Sequence, residues 1–533
     1  MCGIWAWIRS HPQPTEVPVA WKKRVSTLNA RGPEGSRWLE VPSSTWCFTR
    51  LAINGLTDEG MQPFVNENMS WMCNGEIYNS KELEKTLGFV SKSGSDCEVL
   101  GALYQEMKNP VKFARALDGV FTIILFDGSF TTIARDPYGV RPLFYSFSEK
   151  GWIFASERKA IETLTNESVL EFPPGEVWQI PVDLHLGLSI KKQRYHEIPW
   201  MKQTADLPLE FLRSALVSAV DKRLMTERPV AALLSGGVDS SLIAALVQKR
   251  LKEQGKPPLK TFSIGMAGGT DLIYAKKVAE HIGSEHYEIV VTADEMFNAI
   301  PAVIYDIESY DITTVRASVG NWLIAKAIRE KTDCKVVFNG DGSDEVFGSY
   351  LYFYRAPNDY EFENEVERLL KEIHMYDVLR SDRSISSHGL EARTPFLDKQ
   401  FVAAALAYPT ALRRPGNGRI EKQLLRDAFD GLDLLPREIL YRRKEAFSDG
   451  ISSQEKSWYE IIQEKLLESK MVSKIWAEIS YEKNYWPEPK TPEAFYYREQ
   501  FEKHYPRTGK LWPYWMPRWS PETSDPSART LKL

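Results

Sequence analysis

Two hydrophobic rhythms divide the chain. In its first part, short apolar or alternating runs recur between polar, turn-forming stretches: Cys2–Ile8, Thr45–Ile53, Ser70–Cys73, Val120–Phe126, Thr131–Ala134, Trp152–Ala155 and Val177–Ile180. Such runs predict β-strands. The rhythm changes across His196–Leu207. Beyond it Leu209, Leu212, Leu216, Val220 and Leu224 recur at three- and four-residue intervals, which predicts an amphipathic helix. Apolar strands then alternate with helical patterns, the signature of a parallel α/β sheet. The tail, Lys510–Leu533, is rich in Trp and Pro and carries no period. The pattern predicts two domains, residues 2–200 and 207–533.

Composition narrows the classes. A chain of 533 residues has material for two sizeable cores. A net charge of −5 gives no basis for binding nucleic acid or a membrane surface. The longest apolar run, "VFTIILF", is far too short to span a bilayer, and no basic-then-apolar leader opens the chain. A cytoplasmic protein is expected. Cysteines at 2, 47, 73, 97 and 334 form no CxxC pair, so neither a disulfide framework nor a zinc site is predicted.

The first candidate chemistry lies in "MCGIWAW". Cys2 reads either as a small apolar strand residue or, once Met1 is removed, as a nucleophile whose own α-amine serves as base. An α-amine titrates near pH ~8, close enough to neutrality for that work. "NGEIYN" follows the run Ser70–Cys73; Asn74 and the Gly75 N–H suit an oxyanion, while Asn-Gly equally signals a hairpin turn. Asp96 in "SGSDCEVL" could cap the helix that follows or hold a substrate ammonium group. Arg50 could fork onto a carboxylate or lie on the surface. "RGPEG" and "RDPYGVRPLFY" read as Pro/Gly turns.

In the second part, "VAALLSGGVDSSLIAALVQKR" runs from a buried strand through Ser235-Gly236-Gly237 into a helix opened by Asp239-Ser240-Ser241. Glycines admit close backbone approach, and helix-start N–H groups with Ser hydroxyls bind phosphate. The loop lacks the Walker lysine. Asp239 would repel bare phosphate but fits a bridging Mg²⁺. "KVVFNGDGSDEVFGSY" places Asp341, Asp344 and Glu345 after a second apolar strand; Asp344 suits a second metal ligand, against the alternative of a solvated acidic turn. Arg316, Lys422 and Lys444 are candidate cations for charge developing in phosphoryl or adenylyl transfer.

These stretches together resemble a known family. Cys2-Gly3-Ile4, "RGPE", "RLAIN", "NGEIYN", "SGSD", "LDGVFTIILFD" and "RDPYGVRPLFY" are similar to class II glutamine amidotransferases. "LLSGGVDSS", "TFSIGM", "IESYDITTVRAS", "GDGSDEVFGSY", "EARTPFLD" and "KEAFSDG" resemble the ATP-pyrophosphatase domain of asparagine synthetases, and "YWMPRW" and "DPSARTL" its eukaryotic branch. The resemblance implies an αββα N-terminal-nucleophile sandwich followed by an α/β parallel-sheet ATP-pyrophosphatase domain.

It also implies roles. Cys2 would be the nucleophile, with Asn74 and Gly75 as oxyanion hole. Arg50 would bind the glutamine carboxylate, Glu76 and Asp96 its ammonium end, with Leu51, Ala52, Ile53 and Asn54 beside them. Ser235, Gly236, Gly237, Asp239, Ser240 and Ser241 would hold pyrophosphate and Mg²⁺, with Asp344 as second metal ligand. Leu234, Ile264, Asn339 and Gly340 would line the adenosine site, and Arg316 and Lys444 would meet aspartate or its adenylate. The implied reaction uses glutamine, aspartate and ATP, passes through β-aspartyl-AMP, and yields asparagine, glutamate, AMP and pyrophosphate; a homodimer is a further expectation. The alternatives are an amidotransferase acting on another carboxylate, or a non-catalytic relative that binds ligands. One departure stands out. The family usually reads Ser-Gly-Glu-Gly where this chain has Asn339-Gly340-Asp341-Gly342; the usual glutamate is linked to forming or using the adenylate, so the resemblance implies a catalytic Asp341 that is one methylene shorter in reach.

Overall fold

The computed structural model describes residues 1–10, 16–67, 69–182, 189–199, 207–444, 450–452, 456–468, 486–506, 512–521, 523 and 525–526. The expected break at His196–Leu207, the residues after Lys444 in "KEAFSDG" and the end of "DPSARTL" fall largely outside them.

The N-terminal part is two six-stranded antiparallel sheets packed face to face. In one, Gly3–Arg9 lies between Ser44–Thr49 and Gly151–Ala155. In the other, Ser70–Ile77 pairs with Gly119–Phe126, which pairs with Phe130–Arg135. Alternation along the strands fills the gap with Ile4, Ala6, Trp46, Phe48, Met72 and Ile124, all fully buried. The opposite faces are covered as well: Trp5 and Trp7 pack against Trp21 of the helix Val19–Val25, and the helices Leu100–Met107 and Pro110–Ala116 bury Leu100, Leu103 and Phe113 outside the second sheet. This is the αββα sandwich.

One strand outruns its expectation. Ser70–Ile77 continues through Asn74 and Gly75, which pair with Thr122 and Phe121, so Asn-Gly makes no turn here. The register explains the glycine: a Cβ on Gly75 would lie 2.0 Å from the Val120 carbonyl oxygen.

The C-terminal part carries a five-stranded, wholly parallel sheet. Val230–Leu233 is its centre, with Lys260–Gly265 and then Glu285–Val290 on one side, Val336–Phe338 and then Glu391–Arg393 on the other. Strand order reverses at Val230–Leu233, and the crevice outside the carboxyl ends of such strands is where open α/β sheets hold ligands. The loops 234–240 and 339–344 leave the sheet there. Among the described residues no helix is long and apolar enough to cross a membrane.

Candidate functional sites

The first site is a small, tight pocket at one edge of the sandwich. Cys2, Arg50, Leu51, Ala52, Ile53, Asn54, Gly75, Glu76 and Asp96 all line it. Four segments distant in sequence meet because strands 3–9, 44–49 and 70–77 all end at this edge. The Cys2 thiol donates to the Leu51 carbonyl at 3.5 Å, and the Leu51 N–H reaches Sγ at 3.4 Å. Burial pushes the thiol up to about 11. Asp96 does not cap the following helix; its Oδ2 accepts the Ile77 N–H at 2.7 Å, and burial raises its carboxyl to about 6. Arg50 is held within the loop it precedes, donating to Thr57 O at 2.7 Å and to Gly55 O. Asn74 is fully buried behind the pocket, its amide 3.5 Å from Ser156 Oγ, and it does not itself line the cavity. Phe48, Gly60, Gln62, Cys73, Ser95 and Cys97 complete the lining; the sequence reading gave none of them a role in it.

The second site is a cleft with a cavity of about 170 Å³ at the strand-order reversal. Leu234, Ser235, Gly237, Asp239, Ser240, Ile264, Asn339, Gly340, Asp341, Asp344, Lys422 and Lys444 line it. Gly236 and Ser241 shape it from behind. Gly236 turns the chain at φ +72°, tight against Tyr274, and Ser241 is fully buried in the first turn of helix Val238–Glu253. Ser235 and Ser240 hydroxyls meet at 3.0 Å across the loop. A Cβ on Gly340 would lie 2.8 Å from Ser240 N, so the two loops touch through a position that only glycine fits.

Asp239 and Asp344 converge on one cation, the Lys422 ammonium, which sits 2.6 Å from Asp344 Oδ1 and bonds Asp239 Oδ2. Lys444 holds the other Asp344 oxygen at 2.5 Å. Lys422 and Lys444 together hold the Asp344 carboxyl far below the usual carboxylate range. Two carboxylates converging on a single positive charge beside a phosphate-binding loop fit Mg²⁺, which favours one or two carboxylates plus phosphate oxygens.

Arg316 does not belong to this cleft, a correction to its expected role. Its guanidinium is only 4% exposed. Glu493 takes its Nε at 2.7 Å, and Asp525 takes its two terminal nitrogens at 3.0 and 2.7 Å. Two buried carboxylates from the C-terminal segments therefore neutralise it, and Tyr459 stacks 4.7 Å away. Arg380, Arg426 and Arg442 line the cleft instead.

Between the sites runs a buried ionic layer, two of whose arginines, Arg31 and Arg141, lie in stretches that read as turns in the sequence. Arg31 donates to the Cys2 carbonyl at 3.1 Å, and also to Glu157 at 3.1 Å and to Asp382 at 2.8 Å across the domain boundary. Arg141 lies 3.4 Å from Glu391, which stands 4.0 Å from the Met1 amine. Arg393 joins Glu391 at 2.6 Å to Glu76 at 3.3 Å. Burial lowers the Met1 amine to about 6. Breaking any such buried pair leaves an uncompensated charge, so this layer holds the two parts in one orientation.

Comparison with known proteins agrees with this geometry. A glutamine amidotransferase domain model matches residues 1–172, and an asparagine synthase model matches residues 211–368 and 356–524. The asparagine synthetase [glutamine-hydrolyzing] of Gallus gallus is 44% identical over 565 residues, covering 100% of this chain and 99% of that protein. That of Homo sapiens is 42% identical, covering 100% and 98%. The chain belongs to the glutamine-hydrolysing asparagine synthetase family.

Proposed function

We propose that this chain makes L-asparagine from L-aspartate, with nitrogen released from L-glutamine and ATP as the activating substrate. The observation that carries the reading is the pairing, in one chain, of a thiol pocket rimmed by Arg50, Glu76 and Asp96 with a phosphate-loop cleft where Asp239 and Asp344 share one cation.

Glutamine enters the first pocket with its carboxylate towards Arg50 and its ammonium group towards Glu76 and Asp96. Removal of Met1 frees the Cys2 amine, which takes the thiol proton as sulfur attacks the side-chain amide. The Gly75 N–H, with Asn74 behind it, stabilises the oxyanion. Ammonia leaves, and water releases glutamate from the thioester. In the cleft, Leu234, Ile264, Asn339 and Gly340 seat the adenosine, and Ser235, Gly237 and Ser240 hold the phosphates. Mg²⁺, held by Asp239 and Asp344, would supply charge neutralisation at those phosphates. Lys422 and Lys444 offset the negative charge that grows as the aspartate β-carboxylate displaces pyrophosphate. Ammonia then attacks β-aspartyl-AMP and expels AMP. Activation is required because a carboxylate is a poor electrophile with a poor leaving group.

The glutaminase unit is residues 2–200 and the synthetase unit 207–533. Five free cysteines suit the reducing cytoplasm. A homodimer completes the proposal. The test is direct: purified chain supplied with glutamine, aspartate, ATP and Mg²⁺ yields asparagine and AMP in equal amounts. AMP formed only with a different carboxylate would favour the alternative amidotransferase.

A further inference from the structure

We infer that Asn339 and Asp341 work as one unit that aims Arg380 into the synthetase cleft, so that Asp341 acts as a positioning residue. The inference rests on the functional reading above for its substrate, but its geometry stands by itself. Asn339 is the first residue beyond the buried strand Val336–Phe338, and its backbone N–H donates to the Arg393 carbonyl at 3.1 Å. Its side-chain amide is fully used. Nδ2 donates to Asp341 Oδ2 at 2.7 Å and to Ser381 Oγ at 2.6 Å, while Oδ1 accepts the Asp341 N–H at 3.4 Å. A primary amide is the side chain that offers two donors and an acceptor on one planar head.

With Oδ2 accepting from Asn339, Asp341 turns Oδ1 to the Arg380 guanidinium at 2.9 Å. Arg380 is braced from its own helix by Asp377 at 2.5 Å. Asn339, Asp341, Asp377 and Arg380 all line the cleft. Both carboxylate oxygens thus have a fixed partner, and the bond through Oδ1 sets where Arg380 points.

The lengths of the two side chains are matched. Glutamate at 341 would push the carboxylate about 1.5 Å further, into the Asn339 amide. Serine at 339 offers a single donor and cannot serve both Asp341 and Ser381. Each single change breaks the unit, whereas the two together relieve one another, the smaller residue making room for the longer one. The departure from Ser-Gly-Glu-Gly is thus a paired exchange rather than a shortened glutamate.

Four proteins test it: the parent, Asn339→Ser, Asp341→Glu and the double variant. Each is assayed for asparagine with ammonium chloride as donor, kcat and KM for aspartate being separated, and each is unfolded in urea. Each single change is expected to lower kcat/KM for aspartate at least tenfold. The double variant is expected to recover to within about threefold of the parent, with glutaminase activity unchanged throughout. Its urea midpoint should also lie nearer the parent's than either single variant's does. A double variant whose loss equals the product of the single losses would overturn the inference, as would single variants indistinguishable from the parent. The urea cycle reports on the pair even if the carboxylate substrate proves to be other than aspartate.

Discussion

Arg393, from the last strand of the parallel sheet, places its guanidinium 3.3 Å from the carboxylate of Glu76, which lines the pocket around Cys2. A residue of the C-terminal parallel sheet thus braces the pocket around Cys2. Burial and neighbouring Asp96 drive the Glu76 carboxyl well above its ordinary range, and Arg393 opposes them. Without that cation the Glu76 carboxyl would be driven higher still, weakening its attraction for an ammonium group.

Arg393→Lys keeps the charge but loses the planar fork that reaches Glu391 and Glu76 together. We expect KM for glutamine to rise about tenfold, or ~1.4 kcal/mol, in line with the loss of one charge-assisted hydrogen bond. Synthesis from ammonium chloride should be nearly unchanged. Steady-state kinetics with the two nitrogen donors checks this, and equal losses with both would show that Arg393 serves only the fold.

The pH profile of glutamine use follows from Asp96. Its buried carboxyl titrates near 6, so it is ionised above that pH and neutral below it. KM for glutamine should therefore rise as pH falls through about 6, while KM for ATP stays level over the same range. A flat glutamine profile between pH 5 and 7 would exclude Asp96 as the ammonium partner.

Asp239→Asn removes one of the two charges that converge on Lys422 but preserves an acceptor for the Ser343 hydroxyl, 2.8 Å away. AMP formation should fall about a hundredfold or more, ~2.7 kcal/mol in barrier. Glutaminase activity and a cooperative melt should persist. Calorimetric titration with Mg²⁺ and pyrophosphate should show weakened binding, and loss of the fold instead would reduce Asp239 to a structural turn residue.

Met1 is buried, with its sulfur against the Arg31 and Arg141 guanidinium groups. While it remains, the Cys2 nitrogen is an amide and cannot act as a base. Intact-mass analysis of glutaminase-active protein is expected to show Met1 missing. Full activity with Met1 retained would reject the amine as base.

Much of this was legible in the sequence because the signals are local. Gly119–Phe126 announces itself by an unbroken apolar run, and the strand–glycine–helix passage through Val230–Glu253 by its order alone. What escaped depends on partners far along the chain. Asn74-Gly75 carries a turn signal that pairing with Thr122 and Phe121 overrides. Arg31 and Arg141 sit in turn-like stretches, and only the fold brings Asp382 to them. Arg316 carried the right charge for the cleft, but Glu493 and Asp525, more than a hundred residues away, bind it elsewhere. Gln62 and Cys97 have no role legible in the sequence; they lie in loops that only the fold brings to the pocket around Cys2.

The central claim is that one chain holds an ammonia-releasing thiol and a separate aspartate-activating cleft. Cys2→Ala tests it most directly, since the change removes one sulfur and leaves every residue of the cleft in place. Asparagine and AMP are measured on this variant with glutamine and, in parallel, with ammonium chloride at alkaline pH, where more NH₃ is present. The account predicts no asparagine from glutamine and near-parental synthesis from ammonium chloride. Retained glutamine-dependent synthesis would contradict Cys2 as the nucleophile, and loss of both activities would contradict the independence of the two sites.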